Sequence, residues 1–232
     1  DATVYITPTT DITLSAADSL SGVMKTEYRI DGGQWLNYAA FTLPSEGAHV
    51  IGFRSTDNLG NTEPENTIEV ITDNTPPVSS VNIGAPQYSA NGNTYIGGNT
   101  EITISASDAG SGIGRIEYSI DGSPVAVYGS AIILSAYPEG AHVITYRSSD
   151  NLGNTEGDKA LSVVLDNAPP STSISIGEPK FIAVSGAYYI TKDTVFTLAA
   201  SDNLSGISKT EYRIDSGEWV SYVPFKADVE GN

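Results

Sequence analysis

The sequence predicts an all-β protein of tandem antiparallel β-sandwich domains, and three observations support this fold class. Apolar and polar residues alternate in short runs, Gly or Pro ends a run about every 8 to 12 residues, and the whole pattern occurs three times. A period of two is typical of a strand with one buried face. Helices are not expected, because β-branched and aromatic residues, which favour strands, fill the runs.

The repetition predicts the domain organisation. The segment from Tyr5 to Gly22 recurs in similar form at 95–112 and again at 189–206, with equivalent aspartates spaced 90 and 94 residues apart. This spacing fits one sandwich of about 100 residues. We therefore predict repeat 1 at 1–74 without its first strand, a complete repeat 2 at 75–167, and repeat 3 at 168–232 without its last two strands. We expect the sequence to be a piece of a longer protein.

Repeat 2 is the complete example, and its pattern predicts seven strands. Their expected positions are A at 79–84 with a further stretch near 94–96, B at 100–107, C at 114–120, C′ or D at 124–128, E at 131–135, F at 141–149 and G at 159–165. In repeat 1 the alternation of Ile12, Leu14 and Ala16 predicts strand B. Asp31-Gly32 and Asp121-Gly122 predict two-residue hairpin turns, since type I′ turns require positive φ.

Composition excludes several classes of function. The chain has 11 basic and 28 acidic residues, a formal net charge of −17, and no cysteine. Such a charge disfavours binding to nucleic acid or to anionic membranes and favours cationic partners, above all divalent metals. Without cysteine there is no disulfide, no thiolate nucleophile and no sulfur-based metal site. No apolar stretch is long enough for a membrane span, so no membrane insertion is expected in this segment.

Four recurring motifs carry a family resemblance. They are Ser-Asp-x-x-Ser-Gly-Ile, Glu-Tyr-x-Ile-Asp-Gly-Gly-x-Trp, Arg-Ser-Thr-Asp-Asn-x-Gly-Asn-x-Glu and Asp-Asn-x-Pro-Pro, in that order. Together they resemble the immunoglobulin-like (Ig-like) repeats of bacterial surface and secreted proteins, most closely the type of a leptospiral outer-membrane adhesin. The resemblance covers essentially the whole chain. It implies an Ig-like or fibronectin III-like sandwich and an extracellular or cell-surface location, but it implies no single activity.

Aspartates at the ends of strands are the candidate functional residues. Strand order places the B–C and F–G loops of each repeat beside the linker from the repeat before. We therefore expect the linker carboxylate to meet the loop carboxylates, in a set of eight candidates: Asp18, Asp57, Asp73, Asp108, Asp150, Glu156, Asp166 and Asp202. Close carboxylates repel unless neutralised, and Ca²⁺ prefers oxygen ligands. The linker also resembles the calcium-binding linkers of cadherins. The alternative is that these side chains only cap tight loops.

Other polar and aromatic candidates point to structure rather than catalysis. His49 and His142 occupy the same position in two repeats, which favours one structural role used twice. Trp35 and Trp219 are equivalent, yet Val125 stands at their position in repeat 2, so packing is favoured over a sugar-stacking role. No motif of a hydrolase, a metalloprotease or a phosphate-binding loop is present. We predict that the chain is not an enzyme.

The function predicted from these observations is an extracellular structural or adhesive stalk of a bacterial or archaeal surface protein or fibre. Pro-Pro in a short linker restricts the backbone, so we expect a stiff junction, locked by calcium. The partners would be other domains of a longer chain or neighbouring subunits, which could donate strands to repeat 3. The alternative is an accessory module of a secreted glycosidase or an adhesin, binding host matrix or glycan.

Overall fold

The computed structural model describes residues 3–226, and within them it is all-β with no helix. The predicted end of repeat 3, from Glu230 to Asn232, lies outside the described residues. The chain divides into two compact units. Unit 1 contains residues 1–82, 102–132 and 143–161, and unit 2 contains residues 83–101, 133–142 and 162–232. Each unit takes part of the middle repeat, so the boundaries of the three predicted repeats remain a prediction from the sequence.

Repeat 1 lies entirely in unit 1 and forms one five-stranded sheet in the order β1-β5-β4-β2-β3. Its strands are β1 Val4–Ile6, β2 Val23–Ile30, β3 Leu36–Asn37, β4 Gly47–Asp57 and β5 Asn66–Thr72. The core contains Leu43, Ile51 and Val70, with partly buried apolar residues packed around them. At the hairpin after β2, Asp31 and Gly32 both have positive φ, which confirms the turn predicted from their sequence.

Repeat 2 contains β6 to β13. Their bounds are β6 Val78–Ile83, β7 Gln87–Ala90, β8 Asn93–Ile96, β9 Ile102–Ser107, β10 Ile113–Ile120, β11 Ala126–Val127, β12 Gly140–Asp150 and β13 Lys159–Leu165. One sheet has the order β11-β10-β12-β13-β8-β7, and β6 pairs with β9 in a second. The first predicted strand therefore divides between two sheets, and its later part, β8, runs parallel to β13.

Repeat 3 lies in unit 2 and forms shorter strands. They are β14 Ser171–Ile176, β15 Lys180–Ile182, β16 Tyr188–Ile190, β17 Val195–Ser201, β18 Glu211–Tyr212, β19 Val220–Ser221 and β20 Phe225–Lys226. Strands β14, β17 and β20 form one sheet, β15 pairs with β16, and β18 pairs with β19. The described chain therefore has the predicted fold class of tandem Ig-like sandwich domains.

Three strand predictions differ from the structure. The segment 131–135 forms only an isolated bridge between Ile132 and Ile102, and the expected strand 124–128 shortens to β11. In repeat 1 the segment with Ile12, Leu14 and Ala16 is not a strand, because its one ladder contact is the bridge from Ile12 to Phe41. The equivalent segment in repeat 2 is β9, which pairs with β6. No counterpart of β6 lies among residues 3–74, the described part of repeat 1, so alternation alone did not make a strand there.

Candidate metal site at the first linker

Three of the predicted aspartates meet where the linker after β5 reaches the loops of repeat 2. Asp73 follows β5, Asp108 follows β9, and Asp150 ends β12. One carboxylate oxygen from each residue lies within 4.8 Å of the other two. All three residues belong to unit 1. The loop order deduced from the sequence thus places these carboxylates together.

Asp73 is the most buried member of the cluster, with 1% of its surface exposed. Its Oδ2 accepts a hydrogen bond from the Ser111 backbone N–H at 2.6 Å, and its Oδ1 accepts one from the Thr75 N–H at 3.1 Å. Burial alone would raise the pKa of Asp73, but the hydrogen bonds from Ser111 and Thr75 outweigh burial and lower it. The carboxylate is therefore charged at neutral pH.

Asp108 and Asp150 each accept hydrogen bonds from backbone N–H groups of the loop that follows them. Asp108 Oδ1 accepts the N–H groups of Gly110 and Gly112, at 3.0 and 2.8 Å. Asp150 Oδ1 accepts the N–H groups of Leu152 and Asn154, at 2.9 and 2.8 Å. This is the loop-capping role that the sequence offered as the alternative. Capping and clustering occur together, so loop capping does not exclude a metal site.

Two asparagines hold the loops around the cluster. Asn151 Nδ2 donates to the Ser111 carbonyl oxygen at 2.7 Å, which connects the F–G loop to the B–C loop. Asn154 Nδ2 donates to Asp150 Oδ2 at 2.6 Å and to the Asp73 carbonyl oxygen at 3.2 Å. The linker backbone and both loops are thus joined by hydrogen bonds, and the positions of the three carboxylates are fixed.

Gly110 makes room for Asp73, and the sequence reasoning missed its role. A Cβ atom at position 110 would overlap the carboxylate group of Asp73. Leu20 and Leu204 stand at this position in the other two repeats, so the exchange of Leu for Gly was visible in the sequence. The absence of a side chain at 110 leaves room for the Asp73 carboxylate in the position that it takes here.

Glu156, which was expected at the same junction, does not join the cluster. Its carboxylate accepts the N–H of Ser79 at 3.2 Å and the N–H of Ser148 at 2.9 Å, and Lys159 Nζ lies 2.8 Å from Oε2. Burial raises the pKa of Glu156, yet the hydrogen bonds from Lys159, Ser79 and Ser148 lower it to about 2. Glu156 therefore ties the start of β6 to β12.

The second linker places its two candidate carboxylates in a similar but smaller arrangement, within unit 2. Asp166 Oδ2 accepts the Ser205 N–H at 2.9 Å, as Asp73 does from Ser111. Asp202 Oδ1 accepts the N–H groups of Leu204 and Gly206. Within residues 3–226 these two aspartates do not form a three-carboxylate group, since the sequence has no third copy of the loop that supplies Asp150.

In repeat 1 the remaining candidates, Asp18 and Asp57, form loop caps. Asp18 Oδ1 accepts the N–H groups of Leu20 and Gly22, at 3.1 and 2.8 Å. Asp57 accepts the N–H groups of Leu59 and Asn61. Hydrogen bonds from the side chain and the N–H of Asn61 lower the pKa of Asp57. Neither residue belongs to a three-carboxylate group among residues 3–226.

The cluster of Asp73, Asp108 and Asp150 fits a hard divalent cation in both distance and chemistry. Ca²⁺ lies about 2.3 to 2.6 Å from its oxygen ligands, so two ligands of one ion are at most about 5 Å apart. The 4.8 Å limit among the three oxygens satisfies this requirement. Ca²⁺ takes about six to eight oxygens, and carbonyl groups or water would supply the others.

The two histidines stabilise hairpins. His49 Nδ1 lies 2.8 Å from Asp31 Oδ2, and His49 Nε2 lies 3.0 Å from the Ser45 carbonyl oxygen. The Asp31 carboxylate raises the pKa of His49 and is itself shifted to a lower pKa by His49. His142 Nε2 makes the equivalent contact with the Pro138 carbonyl oxygen at 2.7 Å. These contacts agree with one structural role used twice.

Two arginine side chains pack against the ring of Trp35. The guanidinium carbons of Arg54 and Arg29 lie 3.9 and 5.0 Å from the centre of its ring. Trp219 is 59% exposed and has one such neighbour, Arg213, at 4.9 Å. Three tyrosines occupy equivalent positions of the three repeats, and each is half-buried: Tyr38, Tyr128 and Tyr222.

The strand order and the clustered B–C and F–G loops define an Ig-like β-sandwich module. More specifically, residues 80–145 match a family described as bacterial Ig domain. Modules of this family are generally non-catalytic and typically extracellular. The leptospiral adhesin type remains a prediction.

Two solved structures are similar to the chain. Fibronectin(III)-like modules of Clostridium thermocellum CbhA share 19% identity, with 72% of this chain and 90% of that chain covered and a TM-score of 0.34. Chicken VE-cadherin EC1-2 shares 14% identity, with 71% and 97% covered and a TM-score of 0.32. No curated protein sequence matches the chain. Residues 3–226 contain no helix that is long and apolar enough to cross a membrane.

Proposed function

We propose that the chain is a non-catalytic part of an extracellular bacterial stalk or adhesin, in which Ca²⁺ binds at the first linker and stabilises it. The observation that carries this proposal is the cluster of Asp73, Asp108 and Asp150, whose carboxylate oxygens lie within 4.8 Å of one another. The linker supplies one of these carboxylates and the loops of the following repeat supply two. A bound ion would therefore connect a linker to the domain that it enters.

Electrostatics gives the reason for a cation. Asp73 and Asp150 are 1% and 5% exposed, so water screens their charges poorly. Two unit charges at the 4.8 Å limit repel by about 3.5 kcal/mol at an effective dielectric constant of about 20, and charges closer than this limit repel more strongly. The backbone N–H groups around the cluster offset part of this repulsion, and a divalent cation would replace it with attraction. The expected dissociation constant is that of extracellular calcium modules, about 10⁻⁴ to 10⁻³ M.

Hydrogen exchange tests the proposed stabilisation of the linker. The N–H groups of Thr75 and Ser111 donate to Asp73, so they report opening of the linker. An ion at a hundredfold excess over its dissociation constant stabilises the closed form by about 2.7 kcal/mol, which is about a hundredfold slower exchange. We expect Ca²⁺ to slow both amides to this extent.

Matched variants distinguish the cluster from a general salt effect. Asp108→Asn should abolish the calcium effect on the Ser111 amide, because it removes one ligand charge. Asp18→Asn is the equivalent change in repeat 1, outside the cluster, and should leave the effect intact. Equal exchange rates with and without Ca²⁺ at a hundredfold excess over this dissociation constant, about 10 to 100 mM, would show that these aspartates only cap their loops.

The alternative, a glycan- or matrix-binding accessory module, has less support. A sugar ring stacks on a free aromatic face, but Arg54 lies 3.9 Å from the centre of the Trp35 ring. Trp219 is more exposed, yet Val125 replaces it in repeat 2 and is exposed as well. A recurrent sugar site would require an aromatic residue at each copy. Binding of the chain to a glycan array, lost in Trp219→Ala, would favour the alternative.

A further inference from the structure

A small open pocket lies over β10 and β12, on the face of the repeat 2 sheet that points away from the core. We call it the repeat-2 pocket. Its volume is about 70 Å³, and its walls include Ser119, Val125, Thr145, Arg147 and Asp158. All of these residues belong to unit 1, and none belongs to the three-aspartate cluster at the first linker. The pocket is therefore separate from the proposed calcium site.

In repeat 1 the same place is filled by a tryptophan and an arginine. The ring of Trp35 lies over the guanidinium groups of Arg54 and Arg29, whose carbons are 3.9 and 5.0 Å from its centre. Arg29 Nε donates to Glu65 Oε1 at 2.8 Å, and a Cβ atom at Gly52 would overlap the Glu65 carboxylate. One ring, one arginine and one carboxylate thus cover this face of repeat 1.

Repeat 2 keeps one arginine of this arrangement and differs at four other positions. Arg147 stands at the position of Arg54. In the ladder it lies opposite Glu117, as Arg54 lies opposite Glu27. The four positions that differ hold these residues in repeat 2: Ser119 for Arg29, Val125 for Trp35, Thr145 for Gly52 and Asp158 for Glu65.

These differences leave the place of the indole ring open. Thr145 has a Cβ atom where repeat 1 holds the Glu65 carboxylate, so that place is taken. Asp158 is shorter than glutamate, and its Oδ1 accepts a hydrogen bond from Arg147 Nη1 at 3.5 Å. Val125 has no ring, and the cation–π contacts in the described part of the chain involve only other arginines. One face of the Arg147 guanidinium is therefore without the ring that covers Arg54.

The groups around the pocket favour a neutral planar ring that carries a hydrogen-bond donor. The Arg147 side chain is 39% exposed, and the face of a guanidinium stacks well on an aromatic ring. Glu117 and Asp158 already accept hydrogen bonds from its edge, at 3.2 and 3.5 Å, so an anionic ligand would meet two carboxylates. The same carboxylates, and the hydroxyl of Ser119, are acceptors for an N–H group of a ligand.

We propose that the repeat-2 pocket binds the indole ring of a tryptophan side chain presented by a partner polypeptide. An indole has the planar ring and the N–H group that the pocket favours, and it is the group that fills the equivalent place in repeat 1. Trp35 is half-buried there, so one edge of the ring stays at the surface. An open pocket of this depth fits a side chain that enters from a neighbouring surface rather than an enclosed small molecule.

Titration of the whole chain with N-acetyltryptophanamide, followed by NMR, tests the proposal. We expect saturable shifts of the backbone amides of Ser119 and Thr145 and of the Arg147 Nε–H. The dissociation constant should be about 1 to 10 mM, since one ring stacked on one arginine gives weak binding. N-acetylalaninamide should cause no such shifts. Indoleacetate should bind about threefold or more weakly, because Glu117 and Asp158 repel its carboxylate.

Two chain variants provide the matched comparison. Val125→Trp supplies a ring at the position that Trp35 has in repeat 1 and should abolish binding of the probe. Val127→Trp adds the same ring at a position that is 68% exposed and outside the pocket, so it should bind the probe as the wild type does.

Three results would overturn the proposal. The first is the absence of saturable shifts at about 50 mM N-acetyltryptophanamide, well above the expected dissociation constant. The second is equal binding by Val125→Trp and the wild type. The third is binding of free indole about tenfold or more tightly than N-acetyltryptophanamide, which would identify a small molecule as the occupant. None of these results depends on calcium, so they leave the proposed function untouched.

Discussion

Replacing Glu156 by glutamine should destabilise repeat 2 in a pH-dependent way. The side chain is 9% exposed and pairs with Lys159 at 2.8 Å, while the N–H of Ser79 and the N–H and hydroxyl of Ser148 donate to it. Glutamine keeps the size and one acceptor oxygen but not the charge. The change therefore isolates the part of the interaction that depends on ionisation.

The structure gives the magnitude and the pH range. The pKa of Glu156 falls from 4.5 to about 2 on folding, and at about 1.4 kcal/mol for each pH unit this amounts to at most about 3 kcal/mol. A lowered carboxyl pKa stabilises the fold fully above the unfolded value of 4.5. The contribution disappears as the pH falls towards 2. The variant should therefore be less stable than the wild type at pH 7 and approach it near pH 2.

Native-state hydrogen exchange of the amides in β10 and β12 measures this difference within repeat 2. Glu63→Gln is the matched control in repeat 1, where the amides of β2 and β4 report stability. Glu63 is exposed and has Asn66 where Glu156 has Lys159, so this change should alter stability by about 0.5 kcal/mol or less. Equal opening free energies of Glu156→Gln and wild type at pH 7 would show that the charge of Glu156 does not stabilise repeat 2. A difference that stayed constant down to pH 2 would refute the role of ionisation.

Three further predictions concern unit 1. Gly110→Ala should cost about 1 to 3 kcal/mol in urea unfolding, because the new methyl group overlaps the Asp73 carboxylate. Asp31→Asn should lower the pKa of His49 in an NMR titration. Because that pKa is raised on folding, the pair stabilises the fold below pH 6.5, and the effect is lost as the pH rises through the folded value. Trp35→Val should lose about 1 to 2 kcal/mol in thermal unfolding, since two arginines contact the ring.

A control variant or a contrary measurement tests each of these three predictions. Gly129→Ala adds a methyl group where no atom lies within 4 Å and should be nearly neutral, so an equal loss in both glycine variants would contradict the account. An unchanged His49 titration in Asp31→Asn would show that the contact with Asp31 does not set the pKa. Thermal stability of Trp35→Val equal to that of the wild type would remove the packing role assigned to Trp35.

The meeting of Asp73 with Asp108 and Asp150 could be predicted from the sequence because it depends only on strand order. In an antiparallel sandwich the B–C and F–G loops lie at the end where the preceding linker arrives. The aspartates mark the ends of clearly alternating strands. Glu156 stands only six residues after Asp150, yet its carboxylate turns to Ser79 and Lys159. The partners of the Glu156 carboxylate depend on the position of β6 and on side-chain packing, and the alternation of apolar residues specifies neither.

Turn chemistry could have revealed one further strand. Strand β7 pairs with β8 through Asn91-Gly92, where both residues have positive φ. This dipeptide is a strong signal for a two-residue hairpin. The opposite error occurred at Ile12, Leu14 and Ala16, where alternation is clear but no neighbouring strand of the described chain supplies a ladder. A strand needs a partner, and the local sequence cannot specify one.

Calorimetric titration of the whole chain with Ca²⁺ measures binding at the proposed metal site. We expect binding with a dissociation constant of about 10⁻⁴ to 10⁻³ M, and loss of that binding in Asp150→Asn. Asp57→Asn, the equivalent change in repeat 1, should leave binding unchanged, since Asp57 belongs to no three-carboxylate group in the described chain. No calcium binding by the wild type at about 10 mM ion, or equal binding by Asp150→Asn, would contradict the assignment of a metal site to Asp73, Asp108 and Asp150.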